Sequence, residues 1–335
     1  MNILVTGVAG FIGMHVSKKL ANLGYNFVGI DNLNNYYDVK LKDSRLNYLN
    51  NETKNFKFLK VDIQDYSKLR DLFHKFRFDS IIHLAAQAGV RYSLKSPQTY
   101  IDSNITGFLN ILELSKENNI KHLVFASSSS VYGLNENVPF SEKEDTSHPV
   151  SLYAATKKSN EVMAHTYSNL YKIPVTGLRF FTVYGPWGRP DMSPHIFANA
   201  IQNNLPIKLY NHGDMIRDFT YIDDIIEGII RTLKKPPKEN KLFNNKCPDP
   251  SISSAPFKIF NIGNNSPVKI NKFVKILEEC MEKKSIIEHV SMQLGDVKIT
   301  SSNNKSLYEW VGFKPKISLE QGVKNFCAWY KNYYL

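Results

Sequence analysis

The stretch Thr6-Gly7-Val8-Ala9-Gly10-Phe11-Ile12-Gly13 follows a short apolar run and opens the first amphipathic segment of the chain. Its glycines have the spacing GxxGxxG. Glycine suits such a place because the turn from strand to helix is tight and because a pyrophosphate must approach bare backbone at a helix N-terminus. The stretch predicts a dinucleotide site, although a glycine-rich turn also occurs for packing alone. The residues of this turn that we expect to bind the cofactor are Gly7, Gly10, Phe11, Ile12 and Gly13.

Outward from this turn, the first half of the chain alternates short apolar runs with longer amphipathic segments, the pattern of βαβ units in a parallel sheet. Strands are predicted near Asn2–Thr6, Asn26–Ile30, Phe56–Val61, Ser80–Leu84, Lys121–Ser127 and Pro174–Phe181. Helices are predicted near Phe11–Leu23, Tyr66–Phe76, Gln98–Asn118 and Leu152–Tyr171. Six such strands fit one doubly wound parallel sheet of the Rossmann type, an α/β fold whose ligands bind at the carboxyl ends of the strands.

An acidic residue after the second strand indicates which dinucleotide binds. Asp31 stands eighteen residues past Gly13, where a carboxylate accepts both hydrogen bonds of an adenosine ribose diol and repels a 2′-phosphate. The sequence therefore favours NAD over NADP, although Asp31 is also a plausible turn residue. Asp62 is expected at the adenine edge, with a helix N-cap as its alternative role. Further cofactor contacts are expected from residues that follow the second, third and fourth strands: Asn32, Ile63, Leu84, Ala85 and Ala86.

The second half of the chain has a different pattern. After Phe181 comes a loop rich in glycine and proline, then shorter elements that include Asp223–Leu233 and Asn271–Met281. We expect an NAD-binding Rossmann domain over residues 1–181. Residues 182–335 should form a smaller α/β region that mainly binds the substrate, with the chain free to cross back to the first domain. Lys234–Pro256, which carries five prolines, is predicted to be an exposed loop.

The composition is that of a globular enzyme, because 335 residues of which 42% are hydrophobic can bury a sizeable core. The net charge is +11, but the lysines are scattered, so we expect no nucleic-acid partner and a surface that attracts an anionic, diphosphate-bearing substrate. Three separated cysteines without CxxC or Cys/His spacing predict neither a disulfide framework nor a metal site. With no recognisable signal peptide or membrane span, we expect a cytoplasmic protein without a membrane partner.

A redox pair is predicted at Tyr153 and Lys157, which form a YxxxK and share one face of a helix. A neighbouring ammonium favours phenolate, and bringing a tyrosine pKa from about 10 toward neutral requires roughly 4 kcal/mol. The Lys157 charge and the nicotinamide of NAD⁺ are the two expected sources. The fifth strand ends in Ser127–Ser130, where a hydroxyl can bond the reacting oxygen and relay its proton to Tyr153, although serines also form ordinary polar loops.

With these residues in place, the chain resembles the extended short-chain dehydrogenase/reductase family from end to end. Within that family it is most similar to the nucleoside-diphosphate-sugar 4-epimerases, and among those to the enzymes that act on UDP-glucuronate. The phrases that carry the resemblance are Asp31–Asn34, Leu84–Ser93, Phe180–Met192 and Arg217–Asp224.

The resemblance implies a role for each matching residue of the redox group. Tyr153 would be the base, Lys157 would hold the nicotinamide ribose, and Ser128 would contact the sugar hydroxyl. Relatives that dehydrate the sugar carry acids where this chain has Ser129 and Ser130, and decarboxylases keep an acid at the second of these positions. The two serines therefore argue against both eliminating and decarboxylating chemistry.

The resemblance also implies how the sugar nucleotide is held. Thr182 and Arg189 match the glucuronate enzymes, and a planar guanidinium fork suits a C6 carboxylate, although Arg189 could equally contact a phosphate or a loop. Arg217 would grip the diphosphate and Asp296 would lie near the uridine ribose. Many relatives have proline where this chain has Leu294, so the local loop can differ. The expected substrate-binding residues are Arg91, Ser127, Ser128, Ser129, Thr182, Arg189, Arg217 and Asp296.

The expected activity is NAD-dependent 4-epimerisation of UDP-glucuronate to UDP-galacturonate through a 4-keto intermediate, with NAD retained. One alternative is epimerisation of UDP-glucose or UDP-GlcNAc, which Thr182 and Arg189 oppose. A second is decarboxylation of UDP-glucuronate, which Ser130 opposes. A third, from another class, is a non-catalytic NAD-sensing protein, which the intact Tyr153 and Lys157 oppose. The resemblance further implies a homodimer that packs Gln98–Asn118 and Leu152–Tyr171 into a four-helix bundle.

Overall fold

The structure is a computed structural model that describes residues 1–53 and 56–335. Within these ranges, seven strands form a central sheet in the order β11-β6-β5-β4-β1-β2-β3, and all neighbours are parallel. These strands are β1 Asn2–Thr6, β2 Asn26–Asp31, β3 Phe56–Lys60, β4 Ser80–His83, β5 His122–Ser128, β6 Val175–Phe180 and β11 Phe257–Ile262. The predicted Rossmann-type sheet is thereby confirmed, and its six predicted strands agree with the structure to within one residue at either end.

The helices are α1 Phe11–Asn22, α2 Val39–Glu52, α3 Tyr66–Phe76, α4 Val90–Lys95, α5 Pro97–Tyr100, α6 Gly107–Glu117, α7 Leu152–Tyr171, α8 Ser193–Gln202, α9 Ile222–Leu233, α10 Ile270–Met281, α11 Lys305–Val311 and α12 Leu319–Tyr334. The single helix predicted over Gln98–Asn118 is wrong in detail, because a π-helical turn at Ile101–Thr106 separates α5 from α6. Helix α2 was not predicted, since Lys42 and Arg45 occupy two of its buried positions and hide its apolar stripe.

Short strand pairs complete the second half of the chain: β7 Thr182–Tyr184 with β10 Phe219–Tyr221, β8 Pro206–Leu209 with β13 Ile286–His289, and β9 Ile216–Arg217 with β12 Val268–Lys269. Between α9 and β11 the described chain forms turns and bends, as predicted for the loop at Lys234–Pro256. Strand β11 then joins the edge of the central sheet beside β6. The division at residue 181 stays a proposal, with β11 as the segment that returns to the first region.

The sheet is buried on both faces. Ile3 and Val5 face one hydrophobic core and Leu4 faces the other, and none of the three is exposed. The strand order reverses at β1, which lies between β2 and β4, and a crevice opens at such a switch point beyond the carboxyl ends of the strands. Among the helices that the structure describes, none has the length and apolar character that crossing a membrane requires.

Candidate active site

At Gly7 and Gly13, the turn between β1 and α1 packs too closely against backbone to leave room for a side chain. Gly7 has a φ of +73°, and a Cβ atom on it would lie 2.8 Å from the Ala85 nitrogen. A Cβ on Gly13 would lie 2.1 Å from the Gly7 carbonyl oxygen. Gly10 caps α1 without a side-chain hydrogen bond, so the N–H groups of the first turn are left for an anion. The turn therefore fits the pyrophosphate of a dinucleotide.

A cavity of about 950 Å³ extends from this turn to the second half of the chain. It brings together the predicted site residues with one exception, Asp62. On the cofactor side its wall includes Gly7, Gly10, Phe11, Ile12, Gly13, Asp31, Asn32, Ile63, Leu84, Ala85 and Ala86. On the substrate side it includes Tyr153, Lys157, Arg91, Ser127, Ser128, Ser129, Thr182, Arg189, Arg217 and Asp296.

The N-cap role considered for Asp62 is wrong, because Asp65 caps α3, and the place of Asp62 at the adenine edge stays a prediction. Its side chain lies off the cavity wall, where it accepts hydrogen bonds from Asn32 Nδ2 at 2.9 Å and from the Gln64 amide at 2.9 Å. The N-cap of α3 is Asp65, which accepts from the Lys68 amide at 3.1 Å. Asp62 thus holds the side chain of Asn32, which lines the cavity, and a contact of Asp62 itself with the adenine remains a prediction.

Asp31 lies where the predicted ribose-binding carboxylate should be. It accepts from the Ala9 amide at 3.2 Å and from the Leu33 amide at 2.9 Å. Burial raises the pKa of Asp31, and these N–H groups together with the charge of Lys42 act in the opposite direction. Lys42 itself donates to the carbonyl and side-chain oxygens of Asn34, both at 2.7 Å. Lys42 was not predicted as a site residue, because its position on the unpredicted helix α2 gave no signal.

A threonine and a histidine fasten the glycine turn to the end of β4. Thr6 Oγ1 accepts from the Leu84 and Ala85 amides, both at 3.1 Å, and lies 2.9 Å from His83 Nδ1. Because Thr6 accepts two amides, its own proton goes to His83 Nδ1, which requires a neutral imidazole. Burial, aided by the charge of Lys157, lowers the pKa of His83 to about 3. Both residues were missed, although a polar residue at the end of each apolar strand was a usable signal.

Helix α7 presents the predicted redox pair in its first two turns. Ser151 caps this helix by accepting from the Ala154 amide at 3.1 Å, and Tyr153 and Lys157 follow on one face. Lys157 Nζ donates to the Ala126 carbonyl at 2.9 Å. Burial lowers the pKa of Lys157 to about 8, so the ammonium is charged at neutral pH and loses its proton as the pH rises through about 8.

Two other predicted site residues, Ser128 and Arg189, act on the pKa of the Tyr153 phenol. Burial raises the pKa of Tyr153, whereas a hydrogen bond from Ser128 and the charge of Arg189 lower it. Ser128 also accepts from the Ser130 amide at 3.1 Å, and the two hydroxyl oxygens lie 2.8 Å apart. In the described chain the hydrogen-bond partner of Lys157 is a carbonyl of β5, so the predicted action of Lys157 on the phenol finds no support in these contacts.

A buried ion pair lies one helical turn beyond Lys157. The Nε and Nη2 atoms of Arg179 donate to the two carboxylate oxygens of Glu161 at 2.8 and 2.9 Å. Ser127, which is 2% exposed, donates to the same carboxylate at 2.6 Å. The hydroxyl of Ser127 is therefore bonded to this pair, and its contact with a substrate remains a prediction. The pair ties α7 to the adjacent strands β5 and β6 beneath the redox group.

The far end of the cavity is positively charged. Arg217 Nη2 lies 3.2 Å from one oxygen of Asp296, and Arg91 Nη2 lies 3.9 Å from the other. Arg217 also donates to the Lys298 carbonyl at 3.0 Å, which orients its guanidinium. The Arg91 guanidinium lies 4.5 Å from the centre of the Tyr210 ring. Tyr210 was not predicted as a site residue. Two guanidinium groups around one carboxylate suit a diphosphate beside a nucleoside.

Arg189 reaches the cavity between these two ends. Its Nε and Nη2 atoms donate to the two oxygens of Asp191 at 3.0 and 2.5 Å. Tyr36 donates to the same carboxylate at 2.9 Å. Thr182 also lines the cavity, and its amide donates to the Asp218 carbonyl at 3.2 Å. The two residues predicted to hold a sugar carboxylate thus face one space, together with a carboxylate and a phenol that were not predicted.

The chain is similar to known proteins over nearly its full length. The family model described as GDP-mannose 4,6 dehydratase matches residues 4–326. "Protein CapI" of Staphylococcus aureus is 52% identical over 334 residues, covering 100% of this chain and 99% of the relative. The "Probable UDP-glucuronate 4-epimerase" of Rhizobium meliloti (strain 1021) is 47% identical, with 100% and 98% covered.

A solved structure resembles the whole chain. It is the UDP-glucuronic acid 4-epimerase of Bacillus cereus in complex with UDP-glucuronic acid and NAD. The two proteins are 32% identical in sequence, the TM-score is 0.86, and the match covers 100% of both chains. Identity at this level over the full length of both chains, together with the family match, shows the family. The chain belongs to the extended short-chain dehydrogenase/reductase family, in the group that the GDP-mannose 4,6 dehydratase model describes.

Proposed function

We propose that this protein is an NAD-dependent UDP-glucuronate 4-epimerase, an isomerase that interconverts UDP-glucuronate and UDP-galacturonate through a 4-keto intermediate. One observation carries the proposal: the Arg189 guanidinium lies in the same cavity as the Tyr153–Ser128 pair, close enough to lower the Tyr153 pKa. A group that recognises a carboxylate is thus near the group that moves a proton. The relatives named for this activity, and the one solved with UDP-glucuronic acid and NAD, support the proposal.

Proton transfer is the task of Tyr153 and Ser128. Ser128 lowers the pKa of the phenol and lines the same cavity, so its hydroxyl can bridge the O4 hydroxyl of the sugar and the base. The glycine turn and Asp31 would hold NAD, which when bound would supply reversible hydride transfer at C4. Because burial raises the pKa of Tyr153, positive charge beside the phenol favours its action as a base. The lysine four residues later would hold the nicotinamide ribose.

The C6 carboxylate of the sugar must be held in a fixed orientation because the 4-keto intermediate can lose it. The 4-keto form of glucuronate is a β-keto acid, which loses carbon dioxide readily when its carboxylate can align with the ketone. We propose that Arg189 and Thr182 hold the carboxylate out of that alignment while the ring turns to present its other face. Ser129 and Ser130 stand where an acid would assist elimination, so this site is built to return the proton rather than to break a further bond.

Replacement of Arg189 tests the substrate assignment. Arg189→Gln should raise the Kd for UDP-glucuronate by about 10- to 100-fold, because a charge-assisted hydrogen bond contributes about 1.5–3 kcal/mol. The Kd for UDP-glucose should stay within about twofold of the wild type, because that sugar carries no carboxylate. Arg70→Gln, on the exposed face of α3, is the matched control. Equal losses for both sugars would mean that Arg189 does not recognise the carboxylate.

We propose that the protein forms a homodimer through α6 and α7. Exposed apolar side chains follow the outer faces of these helices and of the π-helical turn before α6: Ile101, Leu109, Val162, Leu170 and Tyr171. An exposed apolar face of this kind is typical of an interface. Sedimentation equilibrium should give about twice the chain mass of 38.4 kDa, and Leu109→Asp with Val162→Asp should shift it to the monomer. A wild-type mass of a single chain would refute the dimer.

A cytoplasmic location is also proposed. Cys247, Cys280 and Cys327 are all free thiols, which suits a reducing compartment.

A further inference from the structure

The guanidinium of Arg189 is held by one edge. Asp191 occupies the Nε atom and one N–H of Nη2, which together form the side-on edge of the group. The other edge, formed by Nη1 and the second N–H of Nη2, makes no hydrogen bond to any described residue. Both side chains line the cavity. A guanidinium has donors enough for two carboxylates at once, one on each edge.

Asp191 is itself held in place by Tyr36. Tyr36, in the segment that follows Asp31, donates to Asp191 Oδ2 at 2.9 Å, and its ring packs against that of Tyr92 with centroids 4.6 Å apart. Gly89 makes room for this phenol: it has a φ of +103°, and a Cβ on it would lie 2.9 Å from the Tyr36 oxygen. The phenol is therefore confined by its neighbours as well as by its hydrogen bond.

A second contact joins the same two segments. Arg45, fully buried on α2, donates to the Trp187 carbonyl at 2.7 Å and to the Ala9 carbonyl at 2.9 Å. The loop that carries Arg189 is thus held at two points. Arg45, which also contacts the glycine turn, binds it at Trp187, and Tyr36, which follows β2, binds it at Asp191. A loop held at both points loses little further freedom when it binds a ligand.

We propose that Asp191 and Tyr36 are positioning residues that set selectivity for uronate sugars: they hold Arg189 by its side-on edge so that its free edge meets the C6 carboxylate. The inference rests on the proposed function and deepens it. Because Asp191 balances the charge of Arg189, recognition depends on two aligned N–H groups rather than on an unpaired cation, which would attract any anion. A neutral hexose has no group that needs this alignment, so its binding does not depend on Asp191.

The test compares Asp191→Ala, Asp191→Asn and Tyr36→Phe in the full-length protein, with UDP-glucuronate and UDP-glucose as separate ligands. Asp191→Ala should raise the KM and the calorimetric Kd for UDP-glucuronate by about tenfold or more, while kcat changes less and UDP-glucose binding stays within about twofold. Asp191→Asn keeps one accepting oxygen and should lose less, as should Tyr36→Phe. Asp43→Asn, exposed on α2, controls for the change of charge. Bound NAD and the thermal midpoint report on the fold.

Two outcomes would overturn the inference. If Asp191→Ala binds UDP-glucuronate as tightly as the wild type or more tightly, Asp191 competes with the substrate instead of positioning Arg189. If UDP-glucuronate and UDP-glucose binding weaken equally, the pair is structural only. Failure of the wild type to epimerise UDP-glucuronate is a different result, which rejects the proposed function. The calorimetric comparison of the two ligands then still decides whether Asp191 sets carboxylate selectivity.

Discussion

Tyr153→Phe should lower the turnover of UDP-glucuronate by about 10²- to 10⁴-fold, the usual contribution of a positioned general acid or base. The phenol is the group proposed to exchange a proton with the sugar, and a phenylalanine at this position cannot accept one. The ring itself is retained, so the Kd for UDP-glucuronate and the NAD content should stay close to those of the wild type. Product formation followed by NMR, with calorimetry for binding, measures both quantities.

The control is Tyr308→Phe, which removes the hydroxyl of a half-exposed tyrosine on α11. Turnover of Tyr153→Phe within tenfold of the wild type would place the base elsewhere. Full biological effect of Tyr153→Phe in a cell, with turnover lost, would instead revive the interpretation as a non-catalytic NAD sensor.

Arg179→Met should lower the free energy of unfolding by about 3 kcal/mol, because the buried Glu161 carboxylate loses its bidentate partner and keeps Ser127 and the more distant Lys158, 3.8 Å away. Arg179 is not exposed at all, and the side chain of Glu161 is 4% exposed. Burial acts to raise the pKa of Glu161, but the Arg179 guanidinium outweighs it and holds the pKa below its ordinary value. Urea unfolding at neutral pH measures the loss.

The double variant Glu161→Met with Arg179→Met separates the broken charge pair from lost packing. It removes both charges from the core and should recover most of the stability. A double variant as unstable as Arg179→Met alone would show that packing around these side chains, rather than an uncompensated carboxylate, accounts for the loss.

Much of the fold was predictable because its signals are local. Each of the six predicted strands is a short apolar run that ends in a turn. The GxxGxxG stretch marks a turn that packs against backbone too closely for a Cβ atom at Gly7 or Gly13. The YxxxK spacing likewise places two side chains on one helical face without reference to the rest of the chain. The π-helical turn at Ile101–Thr106 and strand β11 escaped prediction because their conformation depends on neighbours that are distant in sequence.

The parts of the site that were missed depend on pairs of residues far apart in the chain. Tyr36 and Asp191 are 155 positions apart, and neither has a motif that indicates the other. Arg45 was hidden because a fully buried arginine interrupts the apolar pattern of α2. Asp62 was considered as the N-cap of α3 because two aspartates, Asp62 and Asp65, precede this helix, and the sequence does not show which of them accepts from its first amides.

The most direct measurement is incubation of the purified protein with UDP-glucuronate, first without and then with added NAD⁺, while NMR follows the sugar nucleotides. We expect UDP-galacturonate to accumulate with no loss of carbon dioxide, and with no cofactor needed if NAD is retained on purification. UDP-xylose or a 4-keto pentose would contradict this account, since the site would then be a decarboxylase despite Ser130. Unchanged UDP-glucuronate in the presence of NAD⁺, with UDP-glucose converted to UDP-galactose, would contradict the role given to Arg189.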